Sequence, residues 1–384
     1  MPTSMPHMPD SRNWFPETPD TRRRRLSASR RQGMLLHLDG EPLINFASND
    51  YLGLSFHDAV CMGAKGALDD AVGSGASRLI SGDDPMLHRL EQKLAAWKGY
   101  ESCLILGSGM LANIGLLQTL ADRHTHTFAD KLNHASLVDG VRLSGAKSHR
   151  YNHLDTTELE KLLQKHPAER RIIVSDGIFS MDGDSADSTT LLKLAEANDS
   201  LLLIDDAHGI GCIGPDGKGI TASSGIAGHA RLIEVGTFGK AFGSYGAFIL
   251  GSHEMIEGLR QRQRTLIYST ALPVAMIAAA ETSLLLIQRG EQLQQLNQNL
   301  ALFKDRTGEL GFMASDSPIQ PLIVGSDERA LQLAADLREN GFFVPAIRPP
   351  TVPEGTARLR FTITAAHSHE QIETLCACLK RLLA

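Results

Sequence analysis

The chain has 384 residues, which is too long for one simple core and about right for two domains of a globular enzyme. Apolar residues make up 42% and charged residues 21%, and the net charge of −6 excludes a general attraction to nucleic acid or to anionic membranes. The longest apolar run, residues 274–287, is too short and too polar to span a bilayer, and the first twenty residues lack the pattern of a secretory signal.

In chain order, the sequence predicts a loose arm over residues 1 to about 20, then four consecutive arginines at 22–25. A hairpin with strands at 35–38 and 43–46 is predicted around Asp39-Gly40. A helix is predicted to begin at Asp84-Pro85 and to end at Gly99. Residues 155–158 resemble a capping box before another helix. Short apolar strands at 103–106, 172–174 and 201–204 alternate with helices, which predicts an α/β fold with a mainly parallel sheet covered on both faces.

The pattern changes near Arg289-Gly290. A glutamine-rich helix from residue 291 leads into a smaller α/β unit, with strands at 320–324, 342–347 and 359–364 and helices at 328–339 and 369–383. We therefore expect an N-terminal arm and small-domain segment at 1–45, a large domain at 46–289 and a small C-terminal domain at 290–384.

The strongest chemical signal is a lysine after an apolar strand. Residues 232–236 lead into Thr237, Phe238, Gly239 and Lys240, and the apolar run 201–204 leads into Asp205 and, three residues later, His208. Because neighbouring parallel strands place such residues at one rim of the sheet, a lysine, an aspartate and a histidine are expected together there. This set suggests pyridoxal phosphate (PLP), held by Lys240 as a Schiff base, with Asp205 against the pyridine nitrogen.

Four further candidates are evident, and three of them, the Gly109-Met110 turn, Ser180 and His134, have an ordinary alternative. Gly109 and Met110 follow a Gly-Ser turn at a helix start and can bind a phosphate, although any tight strand-to-helix turn looks similar. Thr237 is a second phosphate donor. Ser180 lines the same rim or belongs to a turn of Asp and Gly. His134 stacks on the cofactor ring or simply begins a helix.

The five cysteines are scattered and show no Cys-x-x-Cys spacing, which predicts neither a disulfide framework nor a zinc site and favours a reducing cytoplasm. His149 and His153 have a spacing that binds metal on a helix, but the residues between them indicate a strand end or loop, and no metal site is expected.

These motifs resemble the α-oxoamine synthases, a PLP-dependent family with the aspartate aminotransferase fold (fold type I). The likeness covers about residue 22 to the C-terminus, and the run Ile-Arg-Pro-Pro-Thr-Val-Pro at 347–353 is the part most typical of the members in biotin biosynthesis. The stretches that carry it are 45–54, 73–82 with His88, 179–184, 205–209, 237–240, 346–353, 358–360 and 365–367.

The resemblance implies roles for individual residues. Catalysis would rest on Lys240, His134 and Asp205. Cofactor binding would involve Gly109, Met110, His134, Ser180, Asp205, His208, Thr237 and Lys240, with Ser269 and Thr270 reaching the phosphate in the partner subunit of a homodimer. Substrate binding would involve Arg23, Asn49, His134, Thr351 and Arg360, with Arg360 on the amino-acid carboxylate. Met110 stands where an aromatic residue is common in the family.

The implied reaction is a decarboxylative condensation of L-alanine with pimeloyl-CoA or pimeloyl-ACP, in which Lys240 removes the α-proton and carbon dioxide is lost. The product would be 8-amino-7-oxononanoate. Three alternatives stay open: a family member that condenses glycine with acetyl-CoA or succinyl-CoA, a PLP aminotransferase, and a non-catalytic partner subunit. The carrier of the acyl group is also open. Neither nucleic acid nor a membrane is an expected partner.

Overall fold

The structure is a computed structural model that describes residues 14, 17–23, 26–69 and 71–384. The predicted loose arm therefore falls mostly outside the described residues, as do Arg24 and Arg25. Across these ranges, the helices are all too short or too polar to cross a membrane.

The strands are short and occur throughout the described chain. They are β1 (Ser29–Gln32), β2 (Leu35–Leu38), β3 (Glu41–Asn45), β4 (Ser102–Leu106), β5 (Thr125–Asp130), β6 (Lys147–Tyr151), β7 (Arg170–Asp176), β8 (Leu201–Asp205), β9 (Leu232–Thr237), β10 (Ala247–Gly251), β11 (Ile319–Gly325), β12 (Phe342–Phe343), β13 (Ala346–Ile347) and β14 (Ala357–Thr362).

The helices alternate with these strands. They are α1 (Asp58–Ala67), α2 (Pro85–Lys98), α3 (Gly109–Leu120), α4 (Ala135–Ser144), α5 (Thr156–Lys165), α6 (Ser188–Ala197), α7 (Ile220–Ser223), α8 (His253–Arg262), α9 (Arg264–Ile267), α10 (Val274–Arg289), α11 (Glu291–Thr307), α12 (Asp327–Glu339) and α13 (His369–Leu383).

A seven-stranded sheet forms the centre of the molecule, in the order β4-β10-β9-β8-β7-β5-β6. The pairs from β9 to β6 are parallel, and β10 runs antiparallel to both of its neighbours. The parallel strands end at one edge, which is where α/β proteins place their ligand sites. The prediction of a mainly parallel sheet is confirmed.

The two faces of this sheet pack into two separate apolar clusters. In β8, Leu202 and Ile204 face one cluster and Leu203 faces the other, since successive side chains of a strand point to opposite faces. Both faces are covered by helices, so these strands consist of continuous apolar residues rather than an alternating pattern.

Two smaller sheets flank the large one. The N-terminal strands β1, β2 and β3 form a sheet with β12, whose Phe342 pairs in parallel with Ile44 of β3. The strands β11, β14 and β13 form an antiparallel sheet. The single strand predicted over 342–347 was wrong: it divides into β12 and β13 in different sheets, because Pro345 between them has no N–H to continue a ladder.

Most local predictions hold. Asp39 and Gly40 have φ values of 54° and 91°, the positive angles that a two-residue hairpin turn needs. Asp84 caps α2, and Gly99 ends it with a φ of 79°. The capping box at α5 is only half present. Asp155 accepts from the Glu158 N–H at 2.8 Å, but the Glu158 carboxylate accepts from Asn152 N–H at 2.6 Å instead of returning to Asp155.

Candidate active site

A cavity of about 190 Å³ opens at the carboxyl edge of the large sheet, where β7, β8 and β9 end. Its walls combine a lysine, two aspartates and two histidines with the first turn of α3. The lining residues are Gly109, Met110, Asn113, His134, Ser136, Asp176, Asp205, Ala207, His208, Thr237 and Lys240. The structure thus brings together seven residues predicted from sequence: Gly109, Met110, His134, Asp205, His208, Thr237 and Lys240.

Lys240 sits in a tight turn just after β9. The Thr237 hydroxyl donates to the Gly246 carbonyl at 3.0 Å and accepts from the Gly239 N–H at 3.1 Å, which fixes the turn. Burial lowers the pKa of the Lys240 amine to about 8, against the opposing charges of Asp205 and Asp176. Among the described residues the amine has no hydrogen-bond partner, and a pKa of about 8 leaves roughly a tenth of it as the free nucleophile and base at pH 7, far more than at the ordinary lysine value of about 10.4.

Asp205 is buried and held by two donors. Its carboxylate accepts from Asn113 Nδ2 at 2.6 Å and from the Ala207 N–H at 3.0 Å. Asn113 is itself buried, and its Oδ1 has no partner among the described residues. Sequence reasoning missed Asn113, although an amide within the apolar helix after Met110 is an available signal.

Asp176 is a second carboxyl group in the cavity that sequence reasoning did not assign. It ends β7 in register with Asp205 at the end of β8, and its carboxylate accepts from the His134 N–H at 2.6 Å. Burial raises its pKa well above the ordinary value, and the negative charge of Asp205 adds to that effect. The parallel ending of the two strands was the signal that would have identified it.

Two histidines face the cavity, and they differ in exposure and in hydrogen-bond partner. His134 is exposed and caps α4, where its Nδ1 lies 2.8 Å from the Ser136 hydroxyl, and burial of part of the ring lowers its pKa. His208 is buried, which lowers its pKa well below the ordinary value, and its Nδ1 lies 2.6 Å from the Tyr51 hydroxyl. Both rings are therefore neutral near pH 7, and Tyr51 is a further partner that the sequence did not reveal.

Arg360 and Asn49, the two residues predicted to bind the amino-acid carboxylate, are in contact. The buried guanidinium donates to Asn49 Oδ1 at 3.2 Å, to the Ser180 carbonyl at 2.5 Å and to the Thr362 hydroxyl at 3.1 Å. It has no carboxylate within 4.0 Å among the described residues, which suits a carboxylate ligand. Ser180 and Thr351 line a neighbouring cavity that shares His134 with the first.

Three predicted residues lie apart from this cavity in the single chain. Thr270 is exposed and pairs with Ser77, and Ser269 beside it is partly exposed. Arg23 is exposed and pairs with Asp20 at 3.2 Å.

The histidines with metal-like spacing do not converge. His149 packs on the His166 ring at 4.0 Å between centroids, whereas His153 lies between Asp130 and Asp184. Over the described residues, no three His, Cys, Asp or Glu side chains are placed to hold a metal ion.

The residues present suit PLP. Lys240 offers an unpaired amine, and Asp205 offers a carboxylate for a ring nitrogen. The N–H groups of Gly109 and Met110 at the start of α3 offer donors and a positive helix end for a phosphate.

Comparisons with known proteins agree with this geometry. The family model for aminotransferase class I and II matches residues 41–379. An 8-amino-7-oxononanoate synthase from Acidithiobacillus ferrooxidans is 45% identical over 346 residues, covering 90% of this chain and 89% of that protein.

Two solved structures are also similar. A serine palmitoyltransferase from S. paucimobilis, described with bound PLP and myriocin, has a TM-score of 0.88 and 28% identity, covering 93% of this chain and 91% of that chain. An 8-amino-7-oxononanoate synthase from Francisella tularensis has a TM-score of 0.77 and 29% identity, covering 88% of this chain and 97% of that chain.

Proposed function

This chain belongs to the aminotransferase class I and II family, together with its 8-amino-7-oxononanoate synthase relatives, and from that premise we propose that it condenses L-alanine with a pimeloyl thioester. The products are 8-amino-7-oxononanoate, carbon dioxide and a free thiol. The observation that carries the proposal is one cavity in which the unpaired Lys240 amine faces Asp205, His134 and His208.

PLP is the cofactor that this cavity suits. Lys240 would hold its aldehyde and Asp205 its ring nitrogen, Gly109 and Met110 would hold its phosphate together with Thr237 once that hydroxyl turns away from the Gly246 carbonyl, and His134 and His208 would contact the ring and its substituents. When bound, PLP withdraws electrons from the substrate carbon next to the amino group. The Asn113 amide and the Ala207 N–H hold the Asp205 carboxyl group in place for this purpose.

The side chains around the cavity supply binding and proton transfer. Lys240 removes the α-proton of alanine and returns a proton at the end, for which a pKa near 8 is suitable. Arg360, oriented by Asn49 and the Ser180 carbonyl, binds the alanine carboxylate until it leaves as carbon dioxide. His134 donates a hydrogen bond to the substrate, and Thr351 lies on the same wall as His134.

A third cavity supports an acyl substrate with a long apolar chain. It has a volume of about 700 Å³, contains Lys240 and Asn49 in its wall, and extends to Leu36, Leu38 and Phe343. The apolar part of this wall, which also contains polar residues such as Ser48, Asp50 and Arg31, offers contacts for the methylene groups of a pimeloyl chain that an acetyl group would leave unused.

We further propose a homodimer in which Ser269 and Thr270 of one subunit reach the phosphate site of the other. Support comes from their absence from the lining of the cavity of their own chain and from the exposure of Thr270. Refolding an inactive Lys240→Ala chain with an inactive Ser269/Thr270 double variant is expected to restore activity in the hybrid. Confirmed hybrids without activity would contradict shared sites. A cytoplasmic location stays a prediction from the scattered cysteines.

The function is tested by incubating the PLP-loaded enzyme with small amino acids and acyl thioesters of different lengths. Alanine with a pimeloyl thioester is expected to release carbon dioxide and thiol in equal amounts, with an amino ketone as the organic product. A keto acid without carbon dioxide would indicate an aminotransferase. Faster turnover of glycine with acetyl-CoA would overturn the assignment of both substrates, and only the membership of the family would stand.

A further inference from the structure

One motif of the sequence, residues 73–82, has no place in the site described above, and it contains a buried arginine. The Arg78 side chain is 7% exposed, and its Nη1 donates to Glu91 Oε1 of α2 at 2.5 Å. Its Nε donates to Asp83 Oδ1 at 2.7 Å. Glu91 is also buried, at 4% exposure. Because a buried ion pair adds little net stability, the groups that it holds in one geometry are its informative feature.

Both members of this pair bind the backbone of the same residue, Ile105 in β4. Arg78 Nη1 donates to the Ile105 carbonyl at 3.2 Å, and the Ile105 N–H donates to Glu91 Oε1 at 2.8 Å. Within the described ranges, β4 has a neighbouring strand on one side only, which is β10. An edge strand presents unpaired N–H and C=O groups on its free side. The ion pair therefore takes the place of a further strand at Ile105.

This contact lies just before the turn that is proposed to bind the phosphate. The strand β4 ends at Leu106, and α3 begins three residues later at Gly109. The strand β10 holds one side of β4, with Phe248 opposite Ile105, and the ion pair holds the other side. The two contacts together set the position of the N–H groups of Gly109 and Met110.

The same arginine anchors the loop that is proposed to reach the phosphate site of the partner subunit. Ser77, the residue before Arg78, forms an antiparallel bridge with Thr270. Beside this bridge, the Ala271 N–H donates to the Ala76 carbonyl at 2.9 Å. A displacement of Arg78 would therefore move Thr270 as well as the turn before α3.

We propose that Arg78 and Glu91 are a positioning pair for the cofactor phosphate. In each subunit they hold the donors at the start of α3 for that subunit's own site, and they hold Thr270 for the site of the partner. This inference rests on the placement of the phosphate in the proposed function. Neither member of the pair lines the active-site cavity, so they act through Ile105 and Ser77 and not by contact with the cofactor.

The test removes both charges together, in the double variant Arg78→Met with Glu91→Leu, so that neither is left buried alone. Their other ionic partners, Asp83 and Arg260, are 35% and 32% exposed and remain hydrated. The Kd for PLP, titrated by its visible absorption, is expected to rise roughly tenfold because the phosphate donors are displaced. Pyridoxal has the same ring and aldehyde without the phosphate, and its Kd is expected to stay within about twofold.

A matched control removes a second ion pair of α2, between Lys93 and Glu281 at 2.6 Å, through Lys93→Gln with Glu281→Gln. Among the described residues, the Lys93 amine bonds only to Glu281 and to no atom of β4. Both Kd values are expected to stay unchanged in this control. Phosphorus NMR gives a second readout, because the resonance of bound PLP is expected to shift in the double variant of Arg78 and Glu91 and not in the control.

An equal rise in the Kd for PLP and for pyridoxal, or an unchanged Kd for PLP, would overturn the proposal. A lower unfolding temperature without any change in the ratio of the two Kd values would also overturn it, since the pair would then only stabilise the fold.

Gly109→Glu tests the placement of the phosphate by itself. The position has open space for a side chain, and a carboxylate there would repel a phosphate, so the Kd for PLP alone is expected to rise roughly tenfold or more. If this variant loses the preference for PLP over pyridoxal and the ion-pair variant keeps it, only the positioning role fails. If Gly109→Glu keeps the preference, the phosphate placement fails and the positioning role fails with it. If the parent releases no carbon dioxide from alanine with any pimeloyl donor, the assignment of substrates fails separately, and the two Kd values still test the pair.

Discussion

Two lysines lie near opposite ends of β9, Lys98 completely buried and Lys240 half-buried, and they make different contacts. Lys98 pairs with Glu234 at 2.5 Å, and both side chains are completely buried. Glu234 also accepts from Tyr100 at 2.7 Å and Thr221 at 2.6 Å. Lys240 follows the other end of the same strand and faces a cavity. Among the described residues, its amine has no hydrogen-bond partner.

The difference shows how a lysine that stabilises the fold is distinguished from a lysine that is available for a reaction. A buried ion pair with all its hydrogen bonds made has no capacity left for a ligand. Lys240, half-buried and without a hydrogen-bond partner among the described residues, has a pKa lowered by desolvation and an amine available for a carbonyl group. The presence or absence of a hydrogen-bonded carboxylate partner therefore distinguishes the two roles.

The largest expected effect comes from Lys240→Ala. Because the described cavity has no other amine in its wall, the variant is expected to lose all turnover and the visible absorption of the lysine-bound cofactor. Absorption spectroscopy and the carbon dioxide assay measure both. Its unfolding midpoint in urea is expected to stay close to that of the cofactor-free parent. A variant that keeps the lysine-linked absorption band would disprove the assignment.

Lys98→Met tests the other side of the comparison. It leaves the Glu234 carboxylate buried without its cation, which is expected to lower the free energy of unfolding by about 3–5 kcal/mol, measured by urea denaturation. The double variant Lys98→Met, Glu234→Leu is expected to recover most of that loss. Turnover per folded molecule is expected to remain near the parent value in both. A large loss of turnover at full folding would show that this pair acts on the site.

The next effect depends on pH. Burial opposes the charge on His153, but hydrogen bonds to Asp130 and Asp184 prevail and raise its pKa to about 10. A raised pKa means that the stabilisation is full below the unfolded value of about 6.5 and is lost as the pH rises through about 10. His153→Asn is therefore expected to lose about 2 kcal/mol of unfolding free energy at pH 6 and much less at pH 10.5.

His149→Asn is the matched control for that measurement. Burial and the charges of His166 and His126 lower the pKa of His149 to about 4, so the parent is destabilised by this residue as the pH falls below about 6.5. The control variant is expected to gain stability relative to the parent between pH 6.5 and 5. Identical pH profiles for the two variants would contradict both assignments.

Prediction from sequence succeeded where a signal is local. The strand ending in Asp205 and the turn at Lys240 each show an apolar run that stops at polar residues, and parallel pairing then brings them together. Asn113 and Tyr51 were missed because their partners, Asp205 and His208, lie 92 and 157 residues away in the chain. An amide in an apolar helix marks Asn113 as unusual, but no local pattern identifies a partner that lies so far along the chain. The division of the predicted strand 342–347 differs from these cases, because Pro345 is a local signal: it lacks the N–H that a continuous strand would need.

The smallest expected effect concerns two neighbouring surface arginines. They too differ in whether the charged group is already paired with a half-buried carboxylate. Arg22 is engaged by Asp327 at 3.2 Å and Glu354 at 2.7 Å, whereas among the described residues Arg23 pairs only with the exposed Asp20. A guanidinium without a committed partner is the better candidate for the distal carboxylate of a pimeloyl chain. Exposed pairs contribute about 0.2–1 kcal/mol, which corresponds to a rise of roughly threefold in the KM for the acyl donor on Arg23→Ala, with the KM for alanine unchanged.

Arg22→Ala serves as the control and is expected to leave both KM values in place while lowering the melting temperature slightly. Equal changes in the two variants, or a rise in both KM values for Arg23→Ala, would reduce this segment to a structural role.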